Sequence, residues 1–245
     1  MSANPKRTSP LDEMHKEKGD DGALPTPAAA EAARRREPKA LRREQLINAT
    51  IDSLAKRGYA ATTLADVADG AGLSRGIVNF HFASKDNLLA ETIKFLQDEY
   101  TANWQAMVKK AAPDTASQLL AMVTADLDRK ICTHRKLAAW FALITESRSK
   151  PAYQEMAWDR DAKYRATLAS ICTAAKEEGG YAFDPQSTAD AIYAMQEGLW
   201  LRMMLFGRGY KREAALTVVL DTLCTIFPRH FASGALPLKF HEEDL

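Results

Sequence analysis

Arg75, Gly76 and Asn79 fall on a short helical segment expected from Arg75 to about Phe82, and together they have the chemistry of base-edge contact in DNA. Arginine presents a two-pronged donor to guanine, asparagine pairs with adenine, and a glycine lets the helix backbone approach the groove. An α-helix fits the major groove of B-DNA, provided its inner face packs on supporting helices. The plainer reading of the same residues is a solvent-facing arginine, a small packing residue and a helix-surface asparagine. Enzyme chemistry finds no such footing: no Ser-His-Asp, Cys-His or metal-ligand spacing occurs, and the five histidines are scattered. Gly70, Gly72 and Gly76 look superficially like a dinucleotide-binding loop. However, Arg75 stands where strict spacing needs the third glycine, and no strand precedes it.

The elements that position these residues are all helical. From Lys39 onward apolar residues recur at helical spacing, and no alternating pattern is long enough for a sheet. A first helix over about Lys39 to Arg57 carries Ile47, Ile51 and Leu54 on one stripe, with Gly58 placed to end it in a left-handed conformation. Thr63 caps a short helix and Asp66 answers it in a capping box, while Leu64, Val67, Ala68 and Ala71 form its apolar face. Gly72 makes the turn, Leu73 plugs the core, and Ser74 caps the helix carrying Arg75. That order, helix then glycine turn then helix, is a helix-turn-helix. Ser84 caps a longer fourth helix, marked by Leu88, Leu89, Ile93, Leu96 and Tyr100 and reaching about Lys110. Beyond Pro113 and Asp114, helices are expected near 115–133, 135–148, 152–178, 186–206 and 211–232.

Bulk properties fit an ordinary soluble protein. With 46% hydrophobic and 27% charged residues the 245-residue chain can bury a large core. No apolar run is long enough for a membrane helix or forms a cleavable leader, so a cytoplasmic location without membrane contact is expected. Cys132, Cys172 and Cys224 are far apart on apolar helical patterns and are expected to be buried thiols. The net charge of +1 hides a local basic surplus: residues 34–94 carry 11 Lys and Arg against 7 Asp and Glu, the sign that phosphate contact requires. Residues 1–37 lack apolar periodicity and are expected to be a disordered tail, either merely solvated or, through Arg34, Arg35 and Arg36, a basic arm on DNA. A helix-turn-helix domain is expected over 38–86, a larger helical domain over 87–235, and a tail over 236–245. No cofactor is expected.

The stretch from Thr62-Thr63-Leu64-Ala65-Asp66-Val67-Ala68 through Ala71-Gly72-Leu73-Ser74 to Ile77-Val78-Asn79-Phe80-His81-Phe82-Ala83-Ser84-Lys85 and Leu88-Leu89 resembles the signature of the TetR family of transcriptional regulators. The resemblance implies an all-α fold, with an N-terminal three-helix DNA-binding domain and a larger helical domain that binds ligand and dimerises. It also implies phosphate-positioning roles for Thr63, Phe80, His81 and Lys85, although Phe80 could equally be partly core and Thr63 only a cap. The family often has tyrosine where Asn79 stands.

The later part of the chain resembles the choline-responsive repressors of that family, most clearly from Asp190-Ala191-Ile192 through Glu197-Gly198-Leu199-Trp200-Leu201-Arg202. Glu197 stands where these relatives often have aspartate. A quaternary ammonium offers no N–H to a hydrogen-bond acceptor and is held by aromatic faces aided by a carboxylate. By that resemblance Trp140, Phe141, Trp158, Tyr164, Tyr193 and Trp200 are candidate effector contacts, with Glu197 as the charge and Glu146, Glu155 and Asp159 nearby in sequence. The same aromatics could instead be plain core. Two apolar stripes close the chain: Ile192, Met195, Leu199, Met203 and Leu205, then Leu216, Val219, Leu220, Leu223 and Ile226. They could complete the monomer core, but the resemblance implies a four-helix interface between two copies, as suits a two-fold operator.

Overall fold

The computed structural model of the protein describes residues 27–231, and these form helices and no strand. The chain divides into two compact units, residues 1–41 and 42–245. The helix-turn-helix and all the helices after it belong to the second.

Helix α1 spans Pro27–Ala61, starting well before Lys39. The extension, rich in Ala, Glu and Arg, has high intrinsic helix propensity but no apolar stripe, and its periodicity therefore gave no sign of a helix. The side chains of residues 27–37, including Arg34–Arg36, and everything before Pro27 lie outside the described residues, as does the expected tail 236–245. Leu46, Ile47, Ile51 and Leu54 are fully buried on the α1 face that packs into the core. At Gly58 the backbone turns to φ 75°, ψ 178°, a region open essentially to glycine alone, and the helix breaks there as expected.

Helix α2 (Leu64–Ala71) ends on Gly72 in the left-handed conformation, φ 65° and ψ 29°, with the Leu73 amide returning to the Ala68 carbonyl at 2.9 Å. Helix α3 follows at Arg75–His81 and α4 at Lys85–Lys110. Ser74 occupies the start of α3 with an extended backbone, but its side chain makes no capping bond. Ser84 does cap α4, accepting from the Asn87 amide at 3.0 Å.

Helix α5 covers Thr115–Ala125 and stops short of residue 133. Its last turn loosens into single turns closed by the Leu127, Asp128 and Cys132 amides, and Asp126 is buried. Helices α6 (His134–Ile144), α7 (Pro151–Gly179), α8 (Pro185–Phe206) and α9 (Arg212–Ile226) complete the fold. A 3₁₀ turn at Thr145–Ser149 replaces the end expected for α6. Helix α9 ends at Ile226 rather than near 232, because Pro228 disfavours helical geometry at the residue before it.

Helix α7 packs on α8, α5 and α4, and α6 lies against α8 and α4. At their centre Tyr164 of α7 is wholly buried. Its hydroxyl donates to Gln196 Oε1 at 3.0 Å and lies 3.3 Å from the Met122 carbonyl, while Gln196 donates to the Val123 carbonyl at 3.1 Å. Tyr100, Trp104 and Tyr193 surround its ring at centroid distances of 5.6–5.8 Å. Cys132 and Cys172 are buried, whereas Cys224 is only half-buried because its side of α9 is less covered. Burial pushes the Cys132 and Cys172 thiols up to about 12, so neither is a thiolate nucleophile at neutral pH. Among the described residues no helix is long and apolar enough to cross a membrane, and no group of side chains could hold a metal ion.

Candidate DNA-binding surface and effector pocket

Residues four apart share a helix face, so α3 presents two neighbouring rows: Arg75 with Asn79, and Gly76 with Phe80. All four are exposed, and Phe80 keeps 72% of its surface. Val78 and Phe82 are buried beneath them, and the Arg43 guanidinium lies 5.4 Å from the centre of the Phe82 ring. The half-buried His81 ring meets Phe80 edge-on at 5.3 Å. An exposed polar face with one projecting aromatic is thus fixed on an apolar base.

Thr63 and Lys85 have structural commitments. The Thr63 hydroxyl donates to the Asp66 carboxylate at 2.6 Å and accepts from the Asp66 amide at 3.2 Å, and the Thr63 amide donates back to the carboxylate at 3.0 Å. Arg57 pairs with the same carboxylate at 2.9 Å. The Lys85 ammonium donates to the Tyr59 carbonyl at 3.2 Å and lies 5.1 Å from the centre of the Tyr59 ring, pinning the start of α4 to the end of α1.

The bonds from Thr63, then the charges of Arg57 and Lys85, hold the Asp66 carboxyl below its ordinary value of 3.8. A depressed folded-state value stabilises the fold above the unfolded value and ceases to do so as pH falls through the folded one. Asp66→Asn is therefore expected to be less stable than the parent at pH 7, with the gap closing as pH drops below 3.8. Parallel urea melts across pH check this, and a gap independent of pH would show that the carboxylate charge contributes nothing.

Between α4, α6 and α8 lies a cavity of about 20 Å³, lined by Leu96, Glu99, Tyr100, Ile131, Lys136, Leu137, Trp140 and Trp200. That volume holds roughly one water. Asp126 fixes two of its walls, its carboxylate accepting from the Tyr100 hydroxyl at 2.9 Å and its carbonyl from the Trp200 indole N–H at 2.8 Å. Tyr100 and Trp200 meet edge-on at 5.5 Å. The carboxylate in the wall is that of Glu99.

Of the sequence-expected effector residues, the fold brings Trp140 and Trp200 together here. Glu197 instead sits on the exposed side of α8, where its carboxylate accepts from the Tyr193 hydroxyl at 3.3 Å. Tyr193 and Tyr164 belong to the core, and Phe141 is half-buried away from the lining. The side chains of Trp158 and Asp159 lie outside the described residues, and Glu155 is exposed. Sequence reasoning missed Glu99, Tyr100 and Lys136 as pocket residues. Lys136 was within reach, since it stands four residues before Trp140 on one face of α6, and Tyr100 was visible only as part of the apolar stripe of α4.

A larger, open cleft of about 590 Å³ is lined by Arg129, His134, Lys211 and Arg212 against a single acid, Glu213. Its sign is wrong for a cation.

Among the described residues, α6 and α7 hold α1 and the start of α4 at two places. Arg135 at the start of α6 pairs with Asp52 of α1 and donates to the Asn48 carbonyl at 2.7 Å and the Asn48 side-chain oxygen at 3.1 Å. At the start of α7, Lys150 pairs with Asp86 of α4 at 2.6 Å, and the Tyr153 hydroxyl donates to the Asp86 carbonyl at 3.3 Å.

The family description "Bacterial regulatory proteins, tetR family" matches residues 46–92, and "BetI-type transcriptional repressor, C-terminal" matches residues 115–228. The chain belongs to the TetR family. Regulators named BetI from Paraburkholderia phytofirmans and Paraburkholderia xenovorans are each 32% identical to it, over 74% of this chain and 91% of theirs. Among solved structures, a transcriptional regulator from Pseudomonas aeruginosa PAO1 superposes with a TM-score of 0.68 at 24% identity, covering 78% of this chain and 94% of that one. Another, from Saccharomonospora viridis in complex with choline, superposes with a TM-score of 0.66 at 21% identity, covering 74% and 94%. The chain is thus a DNA-binding transcriptional repressor of TetR type with a BetI-type C-terminal domain, and its relatives form a non-enzymatic class.

Proposed function

We propose that this repressor senses choline or a closely related quaternary amine and controls genes of choline and glycine betaine metabolism in the cytoplasm. The pairing of Trp140 and Trp200 across α6 and α8, with Glu99 in the same wall, carries the reading. A quaternary ammonium centre, with no N–H to donate, is bound by aromatic faces and a nearby negative charge. The choline complex of the Saccharomonospora regulator and the BetI relatives support the same ligand class.

Operator contact is assigned to Arg75, Gly76 and Asn79 at the bases, with Thr63, Phe80, His81 and Lys85 positioning the backbone. The repressor acts as a homodimer through α8 and α9. The exposed apolar groups suited to that interface are Leu201, Leu205, Phe206 and Val218. Ile192, Leu199, Val219 and Leu223 are already buried within one subunit. Effector binding favours one arrangement of α4 and so alters the separation of the two recognition helices. That separation must match about 34–36 Å, one turn of DNA, for both to enter the groove.

Calorimetric titration with choline, glycine betaine and 3,3-dimethylbutan-1-ol, the uncharged isostere of choline, tests this reading. Choline is expected to bind, the alcohol not, and Trp140→Ala to weaken choline by about tenfold or more. If no quaternary amine binds, the ligand assignment fails while the family assignment stands.

A further inference from the structure

The carboxylate in the wall of the effector cavity already has a cation on it. Both oxygens of Glu99 accept from the Lys136 ammonium at 2.6 Å, and that ammonium also reaches the Lys130 carbonyl. Lys136 is itself a wall residue, sharing the cavity with Tyr100, Trp140 and Trp200, and only 16% of its side chain is exposed. A lysine side chain is an alkylammonium: an apolar stem ending in a compact positive charge. Its stem therefore shares the cavity wall with the aromatic groups, and its charge sits on the carboxylate, that an effector cation would use.

Resting on the quaternary-amine reading above, we propose that Lys136 is a built-in competitor of the effector, and that an effector cation enters by taking Glu99 from it. The consequence for specificity is direct. A neutral ligand of the same shape leaves the Glu99–Lys136 pair intact and gains nothing from Glu99. A primary amine merely replaces one ammonium by a similar one. A quaternary ammonium forfeits the hydrogen bonds that Lys136 makes to Glu99 but covers both tryptophan faces with its methyl groups, which a thin lysine stem cannot do.

Displacement also reaches the head. Lys136 lies in the first turn of α6, its amide held by the Thr133 cap at 3.2 Å. The preceding residue, Arg135, grips Asn48 and Asp52 of α1. The residue that yields to the effector is thus next in the chain to the residue that holds the head.

The test is calorimetry of the full chain with choline, tetramethylammonium and n-butylammonium, comparing the parent with Lys136→Met and Lys136→Arg, each checked for fold by circular dichroism. Lys136→Met removes the competitor and is expected to bind choline and tetramethylammonium at least about fivefold more tightly. Lys136→Arg, which keeps a cation on Glu99, is expected to stay near the parent. n-Butylammonium is expected to bind the parent more weakly than choline does. Should Lys136→Met fail to fold, Lys136→Gln serves in its place. Equal choline affinity in the parent and the neutralised variant would overturn the competitor role and leave the effector reading intact. Absence of binding by all three cations in every variant would overturn the effector reading, and the competitor with it.

Discussion

Arg75→Ala is expected to weaken binding to the selected operator by about 1–3 kcal/mol per half-site, on the order of a hundredfold or more for a two-fold dimer. The size follows from the position of Arg75: exposed at the first turn of α3, in one row with Asn79, above a base formed by Val78 and Phe82. Among the described residues its guanidinium makes no hydrogen bond or ion pair, so stability should not change. The measurement is fluorescence anisotropy with the preferred duplex, taken from a random-sequence selection, and with a scrambled one, each over a range of salt. If Arg75 reads a base, affinity falls steeply on the selected duplex and only slightly on the scrambled one. Equal weakening on both, with the salt dependence reduced by about one ion per half-site, would make Arg75 a phosphate-binding residue instead.

Tyr164→Ala is expected to cost about 3–5 kcal/mol of stability, the range for removing a large buried aromatic, and to lower Tm by on the order of 10 °C. Tyr164 joins α4, α5, α7 and α8 through its ring neighbours, its bond to Gln196 and its approach to the Met122 carbonyl. Burial also pushes its phenol well above 10, so it stays neutral throughout the working range. The milder Tyr164→Phe leaves Gln196 Oε1 without its donor and should cost about 1–3 kcal/mol, while choline affinity per folded molecule stays within about twofold. Thermal melts with and without choline separate the two effects. A choline affinity that collapses while Tm holds would place Tyr164 among the ligand-binding residues rather than in the core.

Local chemistry was legible in the sequence to the extent that neighbours in sequence decide it. The Thr63–Asp66 capping box, the left-handed Gly72, the break at Gly58 and the Ser84 cap each depend on a few consecutive residues, and each is present. Ser74 had the right type and place for a cap, yet its hydroxyl makes no such bond. Residues 27–37 belong to the stretch expected to be disordered, and with no apolar stripe on them the early start of α1 was not legible. Long-range placement was the harder part. Trp140 and Trp200 were visible as candidates, but no local spacing could tell that the carboxylate lining the same cavity is that of Glu99 on α4. Helix α8 turns Glu197 outward, its carboxylate bonded to the hydroxyl of the buried Tyr193, whereas α4 crosses α6 where Lys136 can reach Glu99. Likewise, the stripe on α8 and α9 served the monomer core first, leaving Leu201, Leu205, Phe206 and Val218 outside it.

A cavity of about 20 Å³ is smaller than any trimethylammonium head group. Under the proposed function, an effector therefore engages only the fraction of molecules whose aromatic walls have parted, and its apparent dissociation constant is the intrinsic one divided by that fraction. With about one molecule in a hundred open, half-release of the operator would need about a hundredfold more effector than the open site alone would require. Under that reading Asp126, holding Tyr100 and Trp200 in place, would act on the set point of the switch. Loosening either bond would lower the threshold at which transcription begins, leaving both the operator sequence and the ligand's own binding groups unaltered.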